Sequence, residues 1–479
     1  MKPIRIALVV LLALSLHAQV VEQTTPPPPS APRLPHLPQP VEKTLANGLR
    51  VIVVETHNVP LVSARLVIRN GAEADPPVRA GTAETTAALL TKGTTTKSAE
   101  EIASGIDALG ASIEAEAAFD ESMVNLTVMS SKLPEAMAFV ADVVRHPTFK
   151  KDEIARQKAQ TIDSLEVSLH DPASLAEFVI SHEVFGATPY GHNLSGTPES
   201  IKRITRDDLV RFHKRYYRPD NAILVVAGEV APADAFAIAE QLFGSWKGVG
   251  PKPAPSAKKP LPTTSRVLVV DMPDAGQAAV VVGRPGLRRA DPSYFVAQVA
   301  NAILGGGYSS RLNEEIRVKR GLSYGAGSGF EVRRDVGPFT ASAQTKNESA
   351  AEVAGIIVDE MNRLGAAAVE DKEMTPRKAI LIGSFARGLE SSRGIVQRLS
   401  GLALYGLPLD EITRYIGNVE SVTPAQVQSA AKKYLTGKAV DVIIVGNAKA
   451  FVEPLKKRFG KVVVIPIGKL DLNSATLAK

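Results

Sequence analysis

The chain has 479 residues, too many for one ordinary core, and its 44% apolar and 22% charged residues suit a globular protein of two or three domains. The formal net charge of +6 is dispersed with no long basic run, which argues against nucleic acid as a partner. There is no cysteine, so disulfides, thiolate metal ligands and cysteine nucleophiles are excluded together.

Lys2 and Arg5 precede a short apolar run over residues 6–16, and Ala18 closes a plausible cleavage site. The run is too short to span a bilayer. Residues 1–18 therefore read as a secretory signal peptide, with an exported mature chain, periplasmic or extracellular, and no transmembrane anchor. Residues 19–40 read as a spacer, because the prolines between Pro26 and Pro40 favour extended, unpacked chain.

A first folded domain is expected over residues 41–249. Residues 49–54 and 62–68, rich in Val and Ile, read as strands. Residues 80–90 read as a helix of small side chains. Ser98 and Glu101 have capping-box spacing and open a helix to Leu109. Residues 113–117 and 123–129 read as strands, and 133–144 as a helix. Prolines 251, 253, 255, 260 and 262 mark a linker over 250–264. A second domain follows over 265–465, then a tail over 466–479.

The two halves repeat one pattern. Ile201, Ile204, Thr205, Tyr216 and Gly228 reappear as Val419, Val422, Thr423, Tyr434 and Gly446, all at one offset, as from 201 to 419 or 228 to 446. In each half the Thr stands as an N-cap before an amphipathic helix, and a β-rich run closes the unit. This predicts two copies of one α+β domain, each a mixed sheet with helices packed mainly on one face.

The usual catalytic motifs are missing. No two histidines are four apart, and His182-Glu183 is followed by Gly186 where HExxH needs histidine. The histidines read as surface or core residues. There is no GxSxG elbow, and the glycine run 305–307 is not followed by GK[ST].

Other segments carry a resemblance. They are NGLRVIVV (47–54), GAEAD (71–75), GTAETTAAL (81–89), EIARQ (153–157), HDP (170–172), YGH (190–192), GTPESI (196–201) and YYRPDN (216–221). LGGGYSSRL (304–312) and IRVKRGLSY (316–324) continue the series. In order and spacing this set resembles the pitrilysin and mitochondrial-processing-peptidase family of inverted-motif zinc peptidases. Asp75 stands where that family usually has Glu. In active members two histidines one helical turn apart bind zinc, the Glu beside the second activates water, and a Glu on a later helix completes the site. Here those positions hold Glu84, Ala88, Ala87 and Ser164. The resemblance therefore implies a degenerate metal site and no zinc in this chain.

The same resemblance assigns Arg317 and Tyr324, seven residues apart, as donors to substrate carbonyl groups and to the tetrahedral intermediate. Arg offers fixed charged donors and Tyr a neutral one, both suited to an oxygen that gains charge. Gly321 is expected to end the helix bearing Arg317 and start the strand bearing Tyr324. Two domains make one half of a clamshell. The implied function is a non-catalytic subunit of a heterodimeric zinc metalloendopeptidase, not a peptidase alone. A homologous HxxEH-bearing partner would bring the zinc, and the substrate would be a peptide. The alternative is a non-enzymatic peptide-binding or scaffold protein of the same fold. The Arg/Tyr pair favours the first.

Overall fold

The computed structural model describes residues 38–253, 261 and 265–479. The expected signal peptide and most of both proline-rich stretches lie outside the described residues. The first half runs β1 (Val41–Thr44), β2 (Arg50–Glu55), β3 (Leu61–Ile68), α1 (Thr82–Ala88), α2 (Ala99–Ala108), β4 (Ser112–Ala117) and β5 (Ser122–Met129). It continues α3 (Leu133–Arg145), α4 (Lys151–His170), α5 (Pro172–Phe185), α6 (Pro198–Arg203), α7 (Arg206–Tyr216), β6 (Ala222–Gly228) and α8 (Pro232–Phe243). The second half runs β7 (Val267–Asp271), β8 (Ala278–Pro285), α9 (Tyr294–Leu304), β9 (Ala326–Phe330), β10 (Pro338–Thr345), α10 (Ala350–Ala366) and α11 (Asp371–Gly388). It ends α12 (Ser392–Leu404), α13 (Glu411–Glu420), α14 (Pro424–Tyr434), β11 (Asp441–Gly446), α15 (Val452–Phe459) and β12 (Val463–Pro466). No helix among the described residues is long and apolar enough to cross a membrane.

Each half builds a six-stranded mixed sheet, in the orders β1-β2-β6-β3-β5-β4 and β12-β7-β11-β8-β10-β9. The repeat is visible in local chemistry. Thr205 and Thr423 both close capping boxes, on Asp208 and Gln426, before α7 and α14. The parallel pair β2/β6 has its counterpart in β7/β11. Ser98 and Glu101 form the expected capping box of α2. Only the outermost strands differ: β1 pairs antiparallel to β2, whereas β12 runs parallel to β7.

Each half packs its own helices on one face of its sheet, as expected. The opposite face receives a helix from the other half. From the first half, α5 lays Leu175, Val179, Ile180 and Val184 on Leu268, Val270, Ala279, Val281, Ile443 and Val445 of the second sheet. The approach is close: a Cβ on Gly283 would meet Ile180 Cγ1 at 2.5 Å. Reciprocally, α12 lays Ile395, Val396 and Leu399 on the face of the first sheet carrying Ile52, Val54, Val67, Ile223 and Val225. The Ser392 and Ser63 hydroxyls meet at 2.9 Å, and Arg69 Nη2 donates to Ala403 O at 3.0 Å. Each such anchor contributes about 1.5–3 kcal/mol on full burial. This explains why β6 and β11 are apolar without alternation: both of their faces are covered.

The turn between β9 and β10 adds a polar lock. Arg333 is 3% exposed and stacks over Phe119 at 3.7 Å and Tyr190 at 4.7 Å. The Arg334 backbone N–H donates to Asp120 Oδ2 at 2.6 Å, and its guanidinium reaches Arg69 O at 2.8 Å and Glu73 Oε1 at 3.4 Å. Tyr190 Oη donates to Asp120 Oδ1 at 2.6 Å.

Burial pushes the Glu73 carboxyl up to about 7, against the opposing pull of the Gly71 N–H and the Arg334 charge. The folded state therefore holds a proton that the unfolded chain releases, and this contribution is lost as pH rises from about 4.5 to 7. Glu73→Gln should gain stability over wild type by about 2–3 kcal/mol between pH 5 and pH 8. Urea unfolding of both proteins at the two pH values checks this. Asp441, raised to about 6 by burial, acts in the same direction in both proteins and cancels from the difference. The last residues fold back on the first half. Leu477 is fully buried beside α5, and Thr197 Oγ1 donates to Asn473 Oδ1 at 2.9 Å.

Candidate functional site

The α1 helix begins from a fixed point. Asp75 accepts hydrogen bonds from the Gly81 and Ala83 N–H groups at 2.7 and 2.9 Å, as a carboxylate at a helix N-terminus should. Gly81 has φ +93°, and a Cβ there would meet Ser195 O at 2.9 Å, so glycine is required. From this start Glu84 projects into a groove of about 580 Å³.

Ser164, on α4, lines the same groove, with Thr85, Gln157, Ser168 and Ser195. Two of the four degenerate positions thus meet in one groove. Ala87 is fully buried in the first core and Ala88 is half-buried, and neither lines the groove. Glu84 Oε2 accepts the Ala117 N–H at 2.8 Å, at the end of edge strand β4, and burial raises the pKa of this carboxyl. The groove therefore offers hydroxyls, amides and two carboxylates, Glu84, which is engaged with the backbone, and Glu177. Among the described residues no cluster of three or more His, Cys, Asp or Glu is placed to hold a metal. This donor set does not suit zinc, which takes imidazole, thiolate and carboxylate ligands in a tetrahedron.

Two of the described histidines are occupied by structure. His213 Nε2 lies 2.8 Å from Val144 O, and burial lowers its pKa to about 4, so it stays neutral. His192 is half-buried with its two nitrogens 2.9 and 3.0 Å from the Asn193 and Ala72 carbonyl oxygens.

Arg317 and Tyr324 share a larger cavity of about 900 Å³. Arg317 does not sit on a regular α-helix. Residues Asn313–Val318 form a π-turn, closed by Lys319 N–H to Glu314 O at 2.9 Å. Gly321 ends it at φ +62°, as expected. Tyr324, however, is not on the strand that follows. Ser323 Oγ donates to Gly325 O at 2.7 Å and accepts from Gly325 N–H at 3.2 Å, and this tight turn throws Tyr324 outward, 94% exposed, before β9 begins at Ala326.

Two cavity residues escaped the sequence reading. Ser174 and Glu177, on α5, line both the cavity of Arg317 and the groove of Glu84, so the two spaces adjoin across the start of that helix. The available signal was Asp171-Pro172, since Asp171 Oδ1 caps α5 by accepting the Ser174 N–H at 2.8 Å.

Comparison with known proteins identifies the family. Residues 50–198 match the family described as Insulinase (Peptidase family M16), and residues 203–381 match Peptidase M16 inactive domain. The chain is 27% identical to an uncharacterized zinc protease of Streptomyces coelicolor, over 85% of this chain and 89% of that protein. It is 29% identical to one of Mycobacterium tuberculosis, over 83% and 91%. A crystal structure titled as a peptidase M16 inactive domain from Pseudomonas fluorescens is 30% identical, with a TM-score of 0.79, covering 85% of this chain and 98% of that one. A protease structure from Helicobacter pylori shares the fold at 21% identity, with a TM-score of 0.80. The chain belongs to the M16 peptidase family, with an α+β fold of two domains, each a mixed sheet with helices.

Proposed function

We propose that the chain is the zinc-free subunit of a two-chain zinc metalloendopeptidase and supplies Arg317 and Tyr324 to a peptide held at the zinc of a homologous, HxxEH-bearing partner. The observation that carries this is the contrast between the two halves. The metal and base positions hold Glu84, Ala87, Ala88 and Ser164, while Arg317 and an almost fully exposed Tyr324 flank a cavity large enough for several peptide residues. Arg317 and Tyr324 supply the kind of donors that a polarised peptide carbonyl requires. The two domains form half of a clamshell, and the second half comes from the partner. The zinc belongs to the partner, and the pair works outside the cytoplasm after removal of residues 1–18.

The test is co-purification with a homologue carrying intact HxxEH. Elemental mass spectrometry should find no stoichiometric zinc in this chain alone and one zinc per complex. Cleavage of a quenched fluorescent peptide should require both chains. Stoichiometric zinc in the isolated chain, lost in Glu84→Ala, overturns the proposal. A complex that retains peptides without cutting them replaces it with a peptide-binding scaffold.

A further inference from the structure

Four cations lie between Arg311 and Arg320, and three are neutralised within the chain. Arg311 donates to both Glu373 oxygens at 2.7 Å, and Lys319 and Arg320 share Glu315. Arg317 is left without a carboxylate among the described residues. Its guanidinium carbon instead lies 4.2 Å from the centre of the Tyr308 ring, within the range of a cation–π contact. Tyr308 is 69% exposed, so its ring gains little there from burial.

Two further features support the arrangement. In a regular α-helix Glu314 would face Arg317 three residues on. The wider π-turn breaks that relation, and Glu314 lines a separate cavity with Arg311, Glu373 and Arg377. Asn313 then ties both flanks together. Its Oδ1 accepts the Ala326 N–H at 3.1 Å, beyond Tyr324, and its Nδ2 reaches Gly307 O at 3.5 Å, beside Tyr308. The loop that carries Tyr308 and the turn that carries Tyr324 are thus held from one buried side chain.

We infer that Tyr308 is a positioning residue for Arg317: its ring backs one face of the guanidinium plane, leaving the N–H donors free for the cavity. The inference rests on the peptide-contacting role proposed above for Arg317. A planar guanidinium can stack on an aromatic face and still donate in its own plane, which an ammonium cannot do. Fixing the plane in advance reduces the ordering required when the guanidinium engages the oxygen that gains charge in the transition state.

The test has one arm on this chain alone and one on the complex. In the ¹⁵N-arginine-labelled chain, the Arg317 Nε–H signal is assigned by its loss in Arg317→Lys. A ring lying over the guanidinium shifts that signal. Tyr308→Phe should keep the shift, and Tyr308→Leu should abolish it. In the complex, Tyr308→Leu should lower kcat on the quenched peptide about two- to fivefold at unchanged KM, the loss of one exposed cation–π contact, while Tyr308→Phe turns over as wild type. An Arg317 signal unaltered by Tyr308→Leu overturns the inference without touching the functional reading. Normal turnover in Arg317→Ala overturns the functional reading and the inference with it. The two failures are told apart because the first is read without the partner.

Discussion

Arg317→Ala, assembled with a zinc-bearing partner, lowers turnover by about 10²–10³, the effect of removing one donor from a developing oxyanion, roughly 3–4 kcal/mol of barrier. KM changes little, because the contact strengthens as the carbonyl oxygen gains charge. Arg317→Lys recovers only part of the rate, since an ammonium cannot reproduce the planar fork. Tyr324→Phe removes one neutral donor and also lowers kcat. Neither substitution should disturb folding. Arg317 bonds to no carboxylate among the described residues, and Tyr324 is 94% exposed, so stability stays within about 0.5 kcal/mol of wild type. Steady-state kinetics alongside urea unfolding of each variant check both statements. Full activity of Arg317→Ala in an intact complex rejects the catalytic role.

The largest effect on stability is expected at Asp120. This 3% exposed carboxylate accepts the Tyr190 hydroxyl and the Arg334 N–H, both at 2.6 Å, and so joins the β9–β10 turn to the first half. Asp120→Ala leaves two buried donors without an acceptor and the Arg334 guanidinium with less compensating charge. Breaking one side of such a buried network costs about 3–5 kcal/mol. Asp120→Asn keeps one acceptor but turns an amide N–H₂ toward a donor, so its loss falls between the two. Urea unfolding followed by the single tryptophan, Trp246, which packs on Phe243 in the first core, measures both. A loss below about 1 kcal/mol in Asp120→Ala would show that the lock is redundant with the helix packing.

Much of the fold was legible because local chemistry and pattern agreed. Ser98, Thr205 and Thr423 announced their helices by cap spacing, and all three form capping boxes. The Val- and Ile-rich runs became β2 and β3 within about a residue of their expected ends, the usual uncertainty at element boundaries. Residues 80–90 gave a shorter helix, Thr82–Ala88, because Gly81 at φ +93° cannot belong to it.

What stayed hidden depends on distant partners. β1 is exposed along its whole length and reads Val-Glu-Lys-Thr, so no alternation marks it, and β12 is a strand only because β7 lies beside it. α5 is apolar on more than one side because Phe178 packs toward the first core while Val179 and Ile180 pack on the second sheet. Nothing within 14 residues of helix names that second partner. At the site, spacing brought Glu84 near Ser164 and Arg317 near Tyr324. It could not show the π-turn or the Ser323 turn, since each depends on hydrogen bonds rather than on period.

The exchange of α5 and α12 has a consequence during synthesis. By the time Gly228 has left the ribosome every strand of the first sheet exists, yet the helix that covers its far face begins only at Ser392. At translation rates of ~5–20 residues per second, that face waits roughly ten to thirty seconds, with Ile52, Val54, Val67, Ile223 and Val225 uncovered. A nascent first half is therefore a natural client for a holding chaperone, and its last step of folding is the arrival of a helix made from the far end of the message.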